Sequence, residues 1–276
     1  MQDLFASVPR IDLGAVATPI EEVAVEGLRF RVQRDDRIGG NKLRPLEFVL
    51  ARPAKRLLTF STLTANHALA TVRAGRRIGL DTDIVLVRWG TAGATREIVR
   101  QEAARVAEVD GIPGAAWRAL RWWQPGTRIV PPGAMSPAGA LGYARAVMDW
   151  ETIPSRVYLP HGTGTTTSGL LLGLMLREAD CEVVAVNVTE RTGGEWRRAF
   201  RAARLLKRRV QRGRVRLRVV PAREPYGELE GALPDTPFPL DRTYGAKALR
   251  VLLEERPEHA LFLVTTGASA PSDPSR

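Results

Sequence analysis

Cysteine, histidine and aromatic residues are scarce in this sequence. Its 276 residues include one cysteine, three histidines and 6% aromatic residues. The single Cys181 excludes an intrachain disulfide and fits a reducing compartment, so we expect a cytoplasmic protein. No apolar run approaches the ~18 residues that span a membrane, and the first residues lack the basic start and apolar stretch of a secretory signal. We therefore expect neither a membrane segment nor a secretory signal.

Positive charge, in contrast, is abundant and concentrated. The net charge is +11, and eleven arginine or lysine residues lie between Arg197 and Arg218. Such a basic segment can bind the phosphates of nucleic acids. Apolar residues also recur there at helical spacing, which predicts one buried face and a solvated arginine face. Nucleic-acid binding is therefore the weaker functional hypothesis; the recurring apolar residues are Trp196, Phe200, Ala203, Leu206 and Val210.

Short apolar runs alternate with helical patterns along the chain. This rhythm predicts an α/β fold with mostly parallel sheet, in which ligands bind beyond the carboxyl ends of strands. The candidate site loops therefore follow Phe60, Leu159 and Val264. The predicted strands are Leu57–Phe60, Asp83–Trp89, Arg156–Pro160, Glu182–Val188, Val215–Val220 and Ala260–Thr265. The predicted helices are Asn66–Ile78, Ala94–Val109, Pro137–Trp150, Thr167–Ala179, Glu195–Gln211 and Tyr244–Glu255.

A lysine follows a glycine-rich turn in the segment Gly39-Gly40-Asn41-Lys42. The glycines and the asparagine allow a tight turn with positive φ. A lysine held in a close pocket can form a Schiff base with an aldehyde cofactor. Taken alone, a lysine at a helix start is more often solvated, so the motif gains meaning only beside the two turns that follow.

A strand, a turn of glycine and threonine and an apolar helix follow one another around residue 164. Backbone N–H groups and the helix dipole at such a turn favour a phosphate group, and the threonine hydroxyls add donors. The segment has neither a P-loop lysine nor the glycine spacing of a dinucleotide site. It therefore suggests a phosphate site made of Gly162, Thr163, Gly164, Thr165 and Thr166.

A second hydroxyl-rich turn follows the predicted strand that ends at Phe60. It runs from Ser61 to His67 and precedes a helical pattern. Its backbone N–H groups could hold a carboxylate. Capping of the helix by Thr64 or Asn66, without any ligand, is an equally good interpretation of the same residues.

Together these segments resemble the 1-aminocyclopropane-1-carboxylate deaminase / D-cysteine desulfhydrase family, whose members are pyridoxal-phosphate (PLP) enzymes of the tryptophan-synthase-β fold type. The family's elements recur here in the same order along nearly the whole chain. They are Thr18-Pro19, Arg34-Asp35-Asp36, Gly40-Asn41-Lys42-Leu43-Arg44, Asn66-His67, Pro131–Ser136 with Gly139, Gly142 and Tyr143, Gly162–Thr166, and Asp241-Arg242-Thr243-Tyr244-Gly245-Ala246-Lys247.

The resemblance implies a role for each matching position. Lys42 would hold PLP as a Schiff base and move protons, and Tyr244 would lie over the substrate side of the ring. PLP would act as the electron sink of the reaction. The remaining roles would be the phosphate cradle of Gly162, Thr163, Gly164, Thr165 and Thr166, the ring hydroxyl partner Asn66, the pyridine nitrogen partner Thr265 or Thr266, and the substrate site of Thr62, Thr64, Ala65 and His67.

Two positions depart from the family on the substrate side. Ala65 stands where the family has a catalytic serine, and Gly245 where the deaminases have a carboxylate. Opening a cyclopropane ring needs positioned acids and nucleophiles, whereas β-elimination needs the cofactor, a base such as Lys42 and a leaving group. We therefore expect elimination or deamination of a small amino acid. The alternative is a degenerate family member that binds PLP or a partner without turnover.

The resemblance also implies a two-lobed α/β architecture. We expect residues 1–48 and 136–276 to form the larger, PLP-binding lobe and residues 49–135 to form a smaller, inserted α/β lobe. The cofactor would lie in the cleft between them, where ligand pockets commonly form. A homodimer is usual in the family, and no metal is expected.

Overall fold

The described part of the chain folds into ten strands and eight α-helices. The computed structural model describes residues 4–64, 66–89, 94–189, 193–227 and 229–265. The strands are β1 (Ile20–Val25), β2 (Leu28–Arg34), β3 (Arg56–Thr62), β4 (Thr82–Val87), β5 (Arg105–Val109), β6 (Thr127–Val130), β7 (Arg156–His161), β8 (Cys181–Asn187), β9 (Val215–Pro221) and β10 (Ala260–Val264). The helices are α1 (Leu43–Val49), α2 (His67–Arg77), α3 (Ala94–Glu102), α4 (Gly111–Trp122), α5 (Pro137–Met148), α6 (Thr165–Leu176), α7 (Glu195–Leu205) and α8 (Gly245–Glu255).

The strands form two sheets. The six-stranded sheet has the order β1-β2-β10-β7-β8-β9, and the four-stranded sheet has the order β5-β4-β3-β6. Apart from the antiparallel hairpin of β1 and β2, all neighbouring strands pair in parallel. Parallel neighbours require crossover connections, which most of the helices supply. The expected α/β fold with mostly parallel sheets flanked by helices is confirmed.

Helices cover both faces of each sheet. Helices α5, α6 and α7 share one apolar core with the six-stranded sheet, and α8 packs on the opposite face. In the four-stranded sheet, α2 and α3 cover one face and α4 covers the other. Helix α6 is buried from Thr165 to Met175, as is typical of a central helix that is apolar on all sides. The loop before α6 is therefore held by the main core.

Helix α5 approaches the start of α1 so closely that only glycine fits at the contact. A Cβ atom on Gly142 would lie 2.4 Å from the backbone carbonyl carbon and oxygen of Arg44. Real side chains do not tolerate such a separation from rigid backbone atoms. Because α1 begins directly after Lys42, this contact fixes the candidate lysine against the main core.

Two predicted helices are wrong in their extent. The helix predicted over Ala94–Val109 ends at Glu102 and gives way to β5. Residues 105–109 pair in parallel with β4, so tertiary pairing overrides the local helical pattern. The helix predicted to reach Gln211 ends at Leu205. Lys207 adopts a left-handed backbone with φ of 53°, and the N–H of Arg208 returns to the carbonyl of Ala203, which terminates the helix.

The four-stranded sheet is built from residues 56–130, and the six-stranded sheet from residues 20–34 and 156–264. The first of these ranges lies inside the segment 49–135 that the sequence assigns to a smaller lobe. The lobe boundaries themselves stay a prediction. In the described ranges, no helix has both the length and the apolar character needed to cross a membrane.

Candidate active site

Lys42 follows a turn that is tied to two other candidate loops. Gly40 adopts a left-handed backbone with φ of 103°, and Lys42 immediately precedes α1. The backbone N–H of Asn41 donates to the carbonyl of Thr265 at 2.8 Å. The side-chain amide of Asn41 donates to Thr166 Oγ1 at 3.2 Å. The residue next to the lysine therefore connects the end of β10 with the threonine turn at the start of α6.

A buried carboxylate stabilises the turn that precedes Lys42. Asp35 is fully buried and accepts hydrogen bonds from Arg44 at 2.8 Å, Thr18 at 2.8 Å and Gln33 at 3.0 Å. The hydroxyl of Tyr143 also donates to it. A buried charge persists only when it is paired and hydrogen-bonded. These motif residues therefore have a structural role, because they fix both ends of the lysine turn.

The amine of Lys42 has an unusual electrostatic environment. Burial lowers the pKa of Lys42 to about 8, although the negative charge of Asp241 opposes this shift. The residue as a whole is half-buried. Within the described ranges, no hydrogen bond or ion pair occupies this amine. It is therefore available as a nucleophile or a base near neutral pH.

His67 is a neutral residue beside this lysine. Its Nε2 lies 2.9 Å from Thr59 Oγ1, and that hydroxyl donates its only proton to the carbonyl of Val130 at 2.6 Å. His67 therefore donates through Nε2, and its Nδ1 is buried without a partner among the described residues. Burial, and next the positive charge of Lys42, lower the pKa of His67 to about 3. His67 accordingly stays uncharged at neutral pH.

The threonine turn has the geometry of an anion site. Strand β7 ends at His161 and α6 begins at Thr165, so the first N–H groups of α6 have no partner within the helix. Gly164 is left-handed with φ of 73°, and an added Cβ would lie 2.7 Å from Arg198 Nη2. Thr165 and Thr166 are buried. The loop is therefore a cradle of backbone donors and hydroxyls that requires glycine.

Two tyrosines connect this cradle with the turn after β3. A Cβ on Gly162 would come within 3.4 Å of the Tyr244 ring. The hydroxyl of Tyr244 lies 3.0 Å from that of Tyr226. Tyr226 in turn lies 2.7 Å from Thr62 Oγ1 and 3.0 Å from Thr64 Oγ1. Tyr226 therefore joins the turn after β3 to the start of α8.

Sequence reasoning missed Tyr226. It lies in a proline-rich segment without periodicity, and its position depends on a buried lysine. Lys247 is 2% exposed and donates from Nζ to the carbonyl of Pro225 at 2.6 Å. Asp241 accepts from the backbone N–H groups of Tyr244 and Gly245, so it caps α8. An aromatic residue flanked by proline and glycine near the family's last motif was the available signal.

Contacts connect the loops that carry most of the predicted site residues. Thr265 is 5% exposed at the end of β10, and its carbonyl bonds the Asn41 backbone as described above. Asn66 precedes α2 and is half-buried, and its side chain bonds no other described residue. Ala65 and Thr266, also predicted to take part, lie outside the described residues.

These features fit an anionic aldehyde cofactor such as PLP. The cradle at Gly164 would hold a phosphate, because its donors and helix dipole suit a dianion. The Lys42 amine, with its pKa of about 8, would attack an aldehyde far more readily than an ordinary lysine. The Asn41 bond to Thr166 brings the backbone of the lysine turn and the cradle together.

Curated proteins similar to this chain include deaminases and desulfhydrases. A Pyrococcus abyssi protein, which carries the provisional name 1-aminocyclopropane-1-carboxylate deaminase, is 30% identical over 68% of this chain and 66% of its own length. D-cysteine desulfhydrase of Yersinia enterocolitica is 28% identical over 69% of this chain and 67% of its own length. The matches to the first three relatives span slightly less than two thirds of those proteins.

Solved structures show the same fold. The crystal structure of an ACC deaminase homologue has a TM-score of 0.79 at 24% identity, with 98% of this chain and 96% of that chain covered. The crystal structure of T.th. threonine deaminase has a TM-score of 0.62 at 20% identity, with 99% of each chain covered. At these identities the likeness shows the architecture alone.

A family match covers most of the sequence. Residues 15–217, which include Lys42 and the threonine turn at 162–166, match the family described as pyridoxal-phosphate dependent enzyme. The matched range and the relative that is 30% identical over two thirds of the chain agree with the site geometry. The chain therefore belongs to the family of pyridoxal-phosphate dependent enzymes.

Proposed function

We propose that this chain is a PLP enzyme that catalyses elimination or deamination of a small amino acid, with Lys42 as the cofactor-binding lysine. One observation carries the proposal: Asn41 connects the lysine turn to Thr166 of the phosphate cradle and to the end of β10. This connection of the lysine turn with the cradle supports the proposal, because a cofactor with an aldehyde and a phosphate needs an amine and an anion site near each other.

We assign cofactor binding to the five residues of the cradle and to two further positions that bind the pyridine ring. PLP, when bound, withdraws electrons from the α-carbon of an amino acid. Asn66 would hold the ring hydroxyl in this assignment, and a hydroxyl at Thr265 or Thr266 would hold the pyridine nitrogen. Backbone N–H groups would hold the phosphate at Gly162, Thr163, Gly164, Thr165 and Thr166.

Lys42 is the proposed base of the reaction. Its pKa of about 8 lets the amine gain or release a proton near neutral pH, where an ordinary lysine stays protonated. The substrate carboxylate binds at the start of α2, because the first N–H groups of a helix have no partner within the helix and suit an anion. His67 stays neutral there and leaves the carboxylate charge to the backbone.

The side chains that could donate a proton to the leaving group differ from those of ring-opening deaminases. Gly245 supplies no carboxylate, and Ala65 supplies no hydroxyl. The phenols of Tyr226 and Tyr244, whose hydroxyls lie 3.0 Å apart, are proton donors beside the turn after β3, because Tyr226 contacts Thr62 and Thr64 there. Burial, and next the neighbouring Tyr226, raise the pKa of Tyr244 well above its usual value, so it keeps its proton. This donor set favours elimination over ring opening.

The wider organisation is proposed on the same basis. Residues 49–135 form the smaller lobe and residues 1–48 with 136–276 form the larger lobe, because each predicted lobe contains one complete sheet. A homodimer and a cytoplasmic location stay predictions.

The test is to purify the chain and record its visible spectrum with and without added PLP. A visible imine band that is lost on borohydride reduction, with the reduced label found on Lys42 in peptide mass analysis, supports the proposal. The matched control is Lys55→Ala, since Lys55 is an exposed lysine and its loss should change nothing. Retention of the band in Lys42→Ala would refute the assignment.

Turnover is then measured with D- and L-amino acids that carry a leaving group on the β-carbon. Release of ammonia and an oxo acid supports elimination or deamination. A fixed Lys42 adduct without any turnover would instead support the alternative of a PLP-binding protein that has lost catalysis. Tyr226→Phe removes only the phenol oxygen, and it should lower kcat more than it weakens cofactor binding.

A further inference from the structure

An arginine behind the phosphate cradle grips the cradle's backbone. Arg198 lies on α7 with its side chain 14% exposed. Its Nη2 donates to the carbonyl of Thr163 at 3.1 Å, and its Nε donates to Ser168 Oγ at 3.0 Å. Ser168 Oγ donates in turn to the carbonyl of Gly164 at 2.7 Å. Two successive carbonyls of the cradle are thus held from the side of α7.

This grip orients the donors of the cradle. In a trans peptide the carbonyl of one residue and the N–H of the next point in opposite directions. Arg198 fixes the carbonyl of Thr163 toward α7, so the N–H of Gly164 points the other way. Donors that are fixed in advance bind an anion without an ordering cost.

A buried carboxylate holds the arginine in place, and a histidine and a backbone N–H group hold that carboxylate. Glu195 Oε1 lies 3.5 Å from Arg198 Nη2 and 3.5 Å from His161 Nε2. It also accepts from the backbone N–H of Gly193 at 3.0 Å. Burial alone would raise the pKa of Glu195, but the contacts with His161 and with backbone N–H groups lower it to about 2. The carboxylate is therefore charged at neutral pH.

We propose that Arg198 is a positioning residue for the cofactor phosphate, with Glu195 as its anchor. Arg198 acts through the backbone of Thr163 and Gly164. The guanidinium also adds positive charge behind the anion. This role rests on the proposed function of the cradle, and it predicts an effect on the phosphate end of PLP that leaves the aldehyde end unchanged.

The experiment compares PLP with pyridoxal, which has the aldehyde and lacks the phosphate. Cofactor-free wild type, Arg198→Met and Arg198→Lys are titrated with each compound, and the dissociation constant is read from absorbance and tryptophan fluorescence. Loss of a charge-assisted hydrogen bond should weaken PLP binding of R198M by about tenfold to a hundredfold. R198K keeps the charge without the fork of donors and should fall between R198M and wild type. Pyridoxal should bind all three proteins within about twofold.

Arg197→Met is the matched control, because Arg197 is the exposed neighbour on the same helix and should leave both constants unchanged. Urea unfolding of the cofactor-free proteins shows which variants are folded, and R198K carries the test if R198M is not. Unchanged PLP affinity in the folded Arg198 variants, or equal weakening of PLP and pyridoxal, overturns the inference. Failure of the proposed function has a different signature, since wild type itself would then bind neither compound at Lys42.

Discussion

Replacement of Lys42 by methionine should stabilise the cofactor-free chain near neutral pH. Burial lowers the pKa of Lys42 from 10.5 to about 8. The folded chain therefore holds the protonated amine less favourably than the unfolded chain does, by about 3 kcal/mol when both are protonated. Methionine has a similar length and no charge, so K42M removes this cost and keeps much of the packing.

The pH dependence of this effect has a definite sign. Between pH 8 and 10.5 the unfolded chain binds more protons than the folded chain, so wild-type stability gains from rising pH in this window. The cost is fully present below pH 8 and absent above pH 10.5. The advantage of K42M should therefore fall from about 3 kcal/mol at pH 7 to nearly zero at the upper end.

The assay is urea unfolding of the cofactor-free wild type, K42M and K55M at several pH values from about 7 to 10.5, the window that the two pKa values of Lys42 define. Lys55 is exposed, so K55M should change the free energy of unfolding by about 0.5 kcal/mol or less. All three proteins share the other titrating groups, so the contribution of those groups to the pH dependence of unfolding cancels in the differences between the proteins. A K42M protein that is less stable at neutral pH, or whose advantage does not change with pH, would refute the reasoning about the buried amine.

Three further predictions test other parts of the structure. Asp35→Asn breaks the buried pair with Arg44 and should lower the free energy of unfolding by about 3–5 kcal/mol; a loss below about 1 kcal/mol in urea unfolding would speak against that pair. Gly164→Ala places a Cβ 2.7 Å from Arg198 Nη2 at a positive φ, so it should abolish PLP retention during gel filtration; full retention would contradict the cradle's need for glycine. Burial raises the pKa of Cys181 to about 12, so thiol reagents in mildly alkaline buffer should react only after denaturation, and fast reaction of the native chain would contradict this.

The sequence was sufficient for the elements that lie in the core. Strands such as β7 and β8 are nearly continuous apolar runs bounded by polar turns. This local pattern can be recognised without knowledge of the contacts that the strands make. The hairpin of β1 and β2 was missed, although Leu28–Arg34 alternates apolar and polar residues as a half-buried strand does. β5 was mistaken for helix because its half-buried residues carry a weak pattern, and its pairing with β4 depends on contacts that are distant in sequence.

The same distinction between local patterns and long-range contacts applies to the candidate site. Lys42 and the cradle at 162–166 are contiguous motifs whose chemistry is local, and the structure brings their turns together; their roles stay predictions. Tyr226 and Arg198 come from segments that local sequence assigns to a loop and to a solvated basic helix. Only in the folded chain does Tyr226 contact the turn after β3 and Arg198 bond the backbone of the cradle from behind, so no local pattern could have identified them.

The hydrogen bonds of the Tyr226 phenol have a consequence for the ligands that can bind beside it. A hydroxyl group can donate one hydrogen bond and accept two, and the oxygen of Tyr226 already has three hydroxyl neighbours in Thr62, Thr64 and Tyr244. All of its hydrogen-bonding positions are thus occupied before a ligand binds. A ligand that hydrogen-bonds this oxygen has to displace one of the three hydroxyls, and the remaining hydroxyls then have to exchange donor and acceptor roles. Polar ligands that replace the lost hydrogen bond will therefore be preferred over apolar ligands.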